Sequence, residues 1–310
     1  MEKITPIIVG ANGWLGQSAQ YLIKNPTSFK SPIVFGSVGN TNNQFGHIVY
    51  PLTMAKEIFS SCTEGNRYII LNFSYLTKDK ASNHHPDKYA QSIITMNSLI
   101  ADLVAKTKPL SFLFMSSGAA TLVEKGQIIA KDMDLYGRQK LRDELAFNEI
   151  CQQFNVKYLA PRLFNIGGPF INKLRLYAIS NFILQGLETG SITVKAPNFV
   201  YRSYCHVYDL LNVLLCEMGD EELLPVTPTF EVGGDEVVEM ADLAEHVATA
   251  LLIPPQNIYR PVFDDQLAAD YYLADNRDFN KLASKHKITK TALPNIIQDT
   301  VKYLQAQTNS

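Results

Sequence analysis

The chain has 310 residues, 28 basic and 30 acidic side chains and a formal net charge of -2, and this length allows one large domain or two modest ones. The near balance of charge argues against nucleic acid or an anionic membrane as the main partner. Because no apolar run reaches the roughly 18 to 20 residues of a membrane span, and no signal-peptide core follows Met1, we expect a cytoplasmic protein that binds no membrane.

Cysteine and histidine spacing gives no sign of a metal site. The four cysteines are Cys62, Cys151, Cys205 and Cys216. They form no C-x-x-C pair, so we expect reduced and mostly buried thiols rather than a disulfide framework or a zinc site. A polar loop contains Asp79, His84, His85 and Asp87. Adjacent histidines cannot easily converge on one ion, and we therefore predict that the chain holds no metal.

The first motif is a glycine-rich turn between a strand and a helix. An apolar run, Ile4–Val9, precedes it, and a helical pattern follows it as far as Ile23. Glycines in such a turn let the backbone approach a pyrophosphate, and the helix N-terminus offers free N–H groups to the anion. The motif therefore favours nucleotide binding over a plain strand-to-helix turn. The predicted binding residues are Gly10, Asn12, Gly13, Trp14, Leu15 and Gly16.

Strands and helices continue to alternate along the chain. The predicted elements are strands at Ile33–Ser37, Arg67–Ser74 and Leu110–Met115 and a long helix from Pro86 to Lys106. This alternation predicts an α/β fold with a Rossmann-type, doubly wound parallel sheet. Ligands in such sheets lie outside the carboxyl ends of the strands, so we expect Asn72, Phe73 and Ser74 to lie beside the coenzyme.

Ser37 stands where a Rossmann unit places the residue that contacts the adenosine ribose of the coenzyme. The residues after it are Val38, Gly39 and Asn40. A carboxylate at this position would bind the 2′-hydroxyl of NAD, whereas an arginine nearby would bind the 2′-phosphate of NADP. Neither is present, so the choice between NAD and NADP stays open.

Three residues together indicate a proton-transfer site. Tyr136 and Lys140 are four positions apart at the start of a helical pattern, on one face of the helix. The Lys140 ammonium would lower the pKa of the Tyr136 phenol from about 10, so that the phenol exchanges a proton with a carbinol oxygen. Ser117, at the end of the preceding strand, would hydrogen-bond that oxygen, while Lys140 also holds a ribose hydroxyl and nicotinamide supplies the hydride. The alternative is a turn serine and a solvated Tyr/Lys pair without chemistry.

Ordered motifs along nearly the whole chain resemble one enzyme family. The glycine spacing G-x-x-G-x-x-G is similar to that of the short-chain dehydrogenase/reductase superfamily. Arg162–Pro169 resembles R-x-x-N-x-x-G-P, and Arg202–Asp209 resembles R-x-[FY]-x-H-V-x-D. Phe230–Gly234 and the helical pattern Met240–Leu252 resemble a late strand, glycine turn and helix. The chain is thus identified as a member of the extended branch, the NAD-dependent epimerase/dehydratase family that acts on nucleotide sugars.

The resemblance implies roles for residues in the second half of the chain. Asn165 and Arg202 would contact the diphosphate of a nucleotide-linked sugar, which suits an amide and a guanidinium. His206, Asp209 and Asn97 would be structural. The resemblance also implies a coenzyme, NAD or NADP, and a homodimer formed through two long helices.

The sequence departs from the family pattern after Ser117. Dehydratase members carry an Asp-Glu pair there, whereas this chain has Gly118 and Ala119. Without those acids, loss of water has no obvious general acid. The stretch between Ser117 and Tyr136 is also short and lacks the usual Tyr-Gly, which alters the expected shape of the substrate pocket.

We predict a Rossmann domain at residues 1–165, with 199–225 returning to it, and a smaller α/β substrate domain at 166–198 and 226–310. The predicted reaction is reduction of a 4-keto nucleotide sugar, with NADP slightly favoured over NAD. The alternative is 4-epimerisation through a transient ketone, with NAD held tightly. A more remote possibility is a catalytically silent NAD(P)-sensing or scaffold protein on the same fold, but such a protein would need none of Ser117, Tyr136 and Lys140.

Overall fold

The structure, a computed structural model, describes residues 3–24, 29–36, 42–60, 67–76, 86–127, 130–222 and 226–308, and the side chains at 42–44, 86 and 308 fall outside this description. Ser37, Cys62, Asp79, His84 and His85 therefore lie outside the described residues. The chain forms two compact units. The first comprises residues 1–163 and 211–230, and the second comprises residues 164–210 and 231–310.

The first unit is built on a mainly parallel sheet. Its strands are β1 (Thr5–Val9), β2 (Ile33–Gly36), β3 (Asn42–Gln44), β4 (His47–Pro51), β5 (Tyr68–Asn72), β6 (Ser111–Phe114), β7 (Ser116–Ser117) and β8 (Lys157–Leu163). The order across the sheet is β8-β6-β5-β1-β2-β4-β3, and only β3 and β4 pair antiparallel along this path. Without β3, this is the strand order of a Rossmann sheet. The predicted α/β fold is confirmed.

Burial explains why these segments form strands. All residues of β5 and β6 are buried, as expected for parallel strands that are covered on both faces. The helices of this unit are α1 (Trp14–Ile23), α2 (Ala55–Ile58), α3 (Pro86–Thr107), α4 (Gly118–Glu124) and α5 (Lys131–Gln153), with a short 3-10 helix at Leu52–Met54. Phe35, Ile70, Phe112 and Phe147 belong to one buried apolar cluster between the sheet and its helices, which holds the sheet edge with the predicted site in place.

The hairpin formed by β3 and β4 was not predicted. Its turn is Phe45-Gly46, and both residues have positive φ, 51° and 84°, which is the backbone of a tight hairpin turn. β4 then adds a parallel strand beside β2, with Val34 opposite Val49. Two strands this short around a two-residue turn give a weak apolar pattern, and that is why the sequence did not reveal them.

The second unit contains several small sheets. Its strands are β9 (Ile166–Gly167), β10 (Ile192–Thr193), β11 (Val200–Ser203), β12 (Cys205–His206), β13 (Thr229–Val232), which begins in the first unit and follows β8 in the large sheet, β14 (Val237–Glu239), β15 (Ile258–Tyr259) and β16 (Asp270–Tyr272). The helices are α6 (Ala178–Thr189), α7 (Val207–Gly219), which ends in the first unit, α8 (Met240–Leu251), α9 (Arg277–Lys285) and α10 (Leu293–Thr308), with a 3-10 helix at Pro255–Asn257. β11 is the middle strand of the order β14-β11-β16, and this small sheet carries Arg202 on β11 and Asp270 on β16.

The segment that rejoins the first unit begins later than the predicted residue 199. It comprises residues 211–230, because β11 pairs with β14 and β16 inside the second unit. Arg202 therefore belongs to the second unit.

Candidate active site

The glycine turn lies at the carboxyl end of β1, where the sheet order reverses between β1 and β5. Gly10 has a φ of 92°, and a Cβ there would lie 2.6 Å from Ser74 N. Gly16 is equally confined, since its Cβ would overlap Gly10 O. Gly13 is the N-cap of α1 and makes no side-chain cap hydrogen bond. This backbone suits a diphosphate, and the turn fits the predicted coenzyme.

The second predicted coenzyme segment follows β5. Asn72 is buried, and its Oδ1 accepts hydrogen bonds from Ser74 N at 3.1 Å and Ser74 Oγ at 2.8 Å. Asn72 Nδ2 has no hydrogen-bond partner among the described residues. A buried amide donor without a partner is costly, and its place beside Gly10 fits a ligand or water acceptor. Phe73 and Ser74 are the residues against which Gly10 packs.

Ser117 and Tyr136 lie on neighbouring elements. Ser117 ends β7 and is the N-cap of α4, where its Oγ accepts a hydrogen bond from Ala119 N at 3.3 Å. Tyr136 is on α5. The two helices approach closely because Gly137 has no side chain: a Cβ there would lie 2.5 Å from Ala119 O. The fold thus brings the elements that carry Ser117 and Tyr136 together.

Lys140 is buried beneath aromatic rings. The residue is only 2% exposed, and its Nζ donates a hydrogen bond to Met115 O at 2.7 Å. The same Nζ lies 3.3 Å from the ring centroid of Tyr75, 4.4 Å from that of Phe114 and 5.8 Å from that of Tyr136. Burial lowers the pKa of Lys140 to about 7, although two nearby carboxylates oppose the decrease. Lys140 therefore titrates near neutral pH rather than near its usual value of about 10.

Two residues that the sequence analysis did not single out complete this arrangement. Tyr75 follows β5, and its hydroxyl donates a 2.6 Å hydrogen bond to Asp143 Oδ2 on α5. Asp143 also accepts hydrogen bonds from Gln139 Nε2 at 3.1 Å and from Asn97. The structural role expected for Asn97 agrees with this contact.

A second buried charge network lies next to the first. Glu144 accepts hydrogen bonds from Arg162 Nε at 3.0 Å and Arg162 Nη2 at 2.7 Å, and Ser116 Oγ donates to the same carboxylate. Arg162 also pairs with Glu124. Arg162 is 6% exposed, so the arginine that opens the R-x-x-N motif joins β8 to α4 and α5.

The predicted diphosphate ligands Asn165 and Arg202 both contact β16. Asn165 Nδ2 donates to Tyr272 O at 3.5 Å. Arg202 Nη2 forms an ion pair with Asp270 Oδ2 at 2.8 Å, and its guanidinium carbon lies 5.8 Å from the Tyr272 ring centroid. The sequence analysis did not identify Asp270 as a site residue. In this structure its carboxylate is paired with the guanidinium that is predicted to bind a diphosphate.

His206 and Asp209 make contacts that suit structural roles. His206 Nδ1 accepts a hydrogen bond from Tyr208 N at 3.1 Å, and Asp209 Oδ2 accepts one from Thr291 N at 2.6 Å. The predicted absence of a metal is not tested, because most of the polar loop lies outside the described residues. No helix in the described ranges combines the length and apolar character needed to cross a bilayer, and a cytoplasmic location stays a prediction.

Comparison with known proteins identifies the family. The family model described as "NAD dependent epimerase/dehydratase family" matches residues 7–233, and the chain belongs to this family. The resemblance found in the sequence is thereby confirmed, together with a family chemistry that depends on NAD.

Two solved structures share the fold along nearly the whole chain. UDP-glucose 4-epimerase from Thermotoga maritima is 18% identical, with a TM-score of 0.74 over 98% of this chain and 99% of that one. UDP-N-acetylglucosamine 4-epimerase from Methanobrevibacter ruminantium is 16% identical, with a TM-score of 0.75 over 99% and 100%. At these identities the likeness shows the fold alone.

The curated relatives align over a shorter stretch. UDP-glucuronic acid decarboxylase 5 from Arabidopsis thaliana is 31% identical over 112 residues, which are 36% of this chain and 32% of that protein. The aligned stretch is thus about a third of the length of that relative, so the activity and substrate of the whole protein are matters for proposal.

Proposed function

We propose that this protein is an NAD(P)-dependent oxidoreductase that reduces the 4-keto group of a nucleotide-activated sugar. The observation that carries the proposal is the Tyr136/Lys140 pair on one face of α5, with the lysine buried, while Ser117 lies on the adjacent element. Membership of a family that depends on NAD supports redox chemistry. The relatives named above are described as UDP-sugar enzymes, which supports a nucleotide-linked substrate.

In the reducing direction each residue has a distinct task. Ser117 donates a hydrogen bond to the carbonyl oxygen, and Tyr136 transfers its phenolic proton to that oxygen as negative charge develops there. A bound nicotinamide supplies the hydride. The Lys140 ammonium favours the phenolate and so eases release of the proton. Because burial places the pKa of Lys140 at about 7, this assistance decreases as the pH rises above that value.

The second candidate is 4-epimerisation through a transient ketone, and the two structural relatives described as 4-epimerases favour it. Reduction is preferred here for reasons internal to the chain. Gly118 and Ala119 replace the acids that dehydration would need, and the segment between Ser117 and Tyr136 departs from the epimerase pattern.

The deciding experiment measures coenzyme consumption. Purified protein receives a nucleotide-linked 4-keto-6-deoxy sugar with NADPH or NADH, and absorbance of the reduced nicotinamide is followed. We expect one equivalent of reduced coenzyme to be oxidised per product. Interconversion of a saturated nucleotide sugar and its C4 epimer, without added coenzyme, would instead establish the epimerase and overturn the reductase.

We further propose that NADP is accepted as well as NAD, because Ser37 carries no charge that would repel a 2′-phosphate. Ser37→Asp should exclude NADP through repulsion. Titration of both coenzymes into both proteins tests this: a wild type that binds NAD at least about a hundredfold more tightly than NADP would refute it.

On the substrate side we propose that Asn165 and Arg202 hold the diphosphate, for which an amide and a guanidinium are suitable donors. We also propose a homodimer through α3 and α5. Ile94 on α3 and Leu145 on α5 are 54% and 66% exposed, and exposed apolar side chains on long helices suit a protein interface. Light scattering would measure the mass in solution.

A further inference from the structure

Tyr75 touches both members of the proton-transfer pair with one ring. Its face lies under the Lys140 ammonium, 3.3 Å from Nζ to the ring centroid. The Tyr75 and Tyr136 rings also form a T-shaped pair, with centroids 5.7 Å apart and planes at 83°. The local sequence around Tyr75 does not predict these contacts, because Tyr75 lies in the loop after β5, far from α5 in the chain.

The ring is fixed at both ends. On the backbone side, Asn72 Oδ1 accepts hydrogen bonds from Ser74 N and Ser74 Oγ. These bonds hold the residue that directly precedes Tyr75. At the other end, the Tyr75 hydroxyl donates to Asp143 Oδ2 at 2.6 Å. Tyr136, Lys140 and Asp143 lie at i, i+4 and i+7 on α5 and so share one face. The helix that carries the reacting pair thus also carries the anchor for the ring.

Tyr75 is not itself a plausible proton donor. Burial and the Asp143 carboxylate raise the pKa of the Tyr75 phenol far above its ordinary value. A phenol that stays protonated and donates a hydrogen bond to a carboxylate does not transfer its proton to a substrate. Tyr75 therefore does not compete with Tyr136 for the role of proton donor.

A ring face beneath a buried ammonium has an electrostatic effect. Burial disfavours the charged form of Lys140, and an aromatic face attracts a cation most strongly where water is excluded. Among the residues that the structure describes, the other charged or titratable groups near Lys140 are Asp143, Glu144 and Tyr136 on its own helix, and Glu144 is paired with Arg162 of β8. The loop after β5 adds the Tyr75 ring to these surroundings of Lys140. The ring stabilises the ammonium and carries no charge of its own.

We propose that Tyr75, anchored by Asp143, is a positioning residue that holds the Lys140 ammonium and the Tyr136 ring in the arrangement needed for proton transfer. This inference rests on the proposed function for its catalytic meaning. The dependence of the Lys140 titration on the Tyr75 ring can be tested without any substrate.

The first test is titration of Lys140 without substrate or coenzyme. Protein labelled with 13C at lysine Cε is titrated by NMR, and loss of one signal in Lys140→Met assigns the resonance. Tyr75→Leu, which removes the ring, should lower the pKa of Lys140 by about one unit. Tyr75→Phe, which keeps the ring and loses only the hydroxyl, should shift it by a much smaller amount.

A matched control comes from α3. The Tyr89 hydroxyl donates to Leu76 O at 2.8 Å, and this tyrosine is also buried. Tyr89→Phe therefore removes a comparable buried hydroxyl and should leave the Lys140 titration unchanged. If Tyr75→Leu does not fold, Tyr75→Met takes its place as a ringless side chain. An unchanged Lys140 titration in a folded ringless variant would overturn the proposal.

The second test uses turnover once a substrate is found. Loss of the ring should lower kcat by about 10- to 100-fold, as expected when a reacting group is misplaced, with little change in KM. It should also move the alkaline limb of the kcat profile to lower pH. In a Lys140→Met background the same substitution should cost little more, because residues that act as a unit are not additive. Full additivity would show a general structural effect and overturn the proposal, whereas a shifted titration without activity on any nucleotide sugar would contradict only the proposed function.

Discussion

The cations of the candidate catalytic site and of the proposed diphosphate site are held in opposite ways. In the first unit Lys140 is 2% and Arg162 is 6% exposed, and each is enclosed by aromatic rings or carboxylates. In the second unit the Arg202 side chain is 20% exposed and that of its partner Asp270 is 52% exposed. Buried charges must keep their partners, because an unpaired one is costly, while an exposed pair can exchange one partner for a ligand at little cost. The first arrangement suits chemistry at a fixed geometry, and the second suits binding.

The largest expected effect tests the chemistry of the buried site. Tyr136→Phe removes the proton donor and keeps the ring against Tyr75. Turnover should fall by the roughly 100- to 10,000-fold typical of losing a general acid, while coenzyme affinity, measured by calorimetry, stays nearly unchanged. Tyr21→Phe, at a half-exposed position on α1, is the control. Near-normal turnover in Tyr136→Phe would remove the tyrosine from the mechanism.

The next effect concerns stability and sharpens the contrast between buried and exposed charge. Arg162→Met leaves the buried Glu144 without its guanidinium, and breaking such a pair costs about 3–5 kcal/mol. Arg138→Met breaks an exposed pair with Asp134 on the same helix as Glu144 and should change the unfolding free energy by less than about 1 kcal/mol. Urea unfolding followed by circular dichroism measures both. Equal losses would mean that burial does not distinguish the two arginines.

The sequence was sufficient for most of the first unit because its signals are local. Apolar runs and the glycine turn placed β1, β2, β5 and β6 within one or two residues of their observed bounds, as buried parallel strands allow. The hairpin of β3 and β4 escaped because its strands are short and its turn depends on positive φ at Phe45 and Gly46.

The site was predictable where spacing along one helix carries the information and not where tertiary contacts do. Tyr136 and Lys140 are one turn apart, so their pairing follows from the sequence. Tyr75 and Asp143 meet across many residues, and no local pattern could join them. One signal was available: Asp143 lies at i+3 from Lys140, on the same helix face. Asp270 gave no comparable signal, because it reaches Arg202 through strand pairing.

A smaller effect tests the exposed side of the comparison. Arg202→Ala should weaken binding of the nucleotide sugar by about 1.5–3 kcal/mol, the worth of a hydrogen bond to a charged group. Coenzyme binding should not change. Separate titrations of the two ligands decide this. Equal weakening for both would indicate a folding defect and not a lost diphosphate contact.

The smallest expected effect is a gain in affinity for the nucleotide sugar. It tests whether the ligand displaces Asp270 from Arg202 or whether Asp270 stays in place and orients the guanidinium. If a diphosphate replaces Asp270 at the Arg202 guanidinium, then Asp270→Asn removes a competitor and a negative charge. Affinity for the nucleotide sugar should rise by up to about 1 kcal/mol, or roughly fivefold, and the gain should shrink at high salt because the charges are exposed.

The matched control for this substitution is Asp275→Asn, which removes the carboxylate of another exposed pair, with Arg277, and should leave affinity unchanged. Weaker binding in Asp270→Asn would mean that the carboxylate orients Arg202 and must stay in place when the ligand binds. The guanidinium would then be held as firmly as the buried charges of the first unit, and the difference between the two sites would be one of exposure alone.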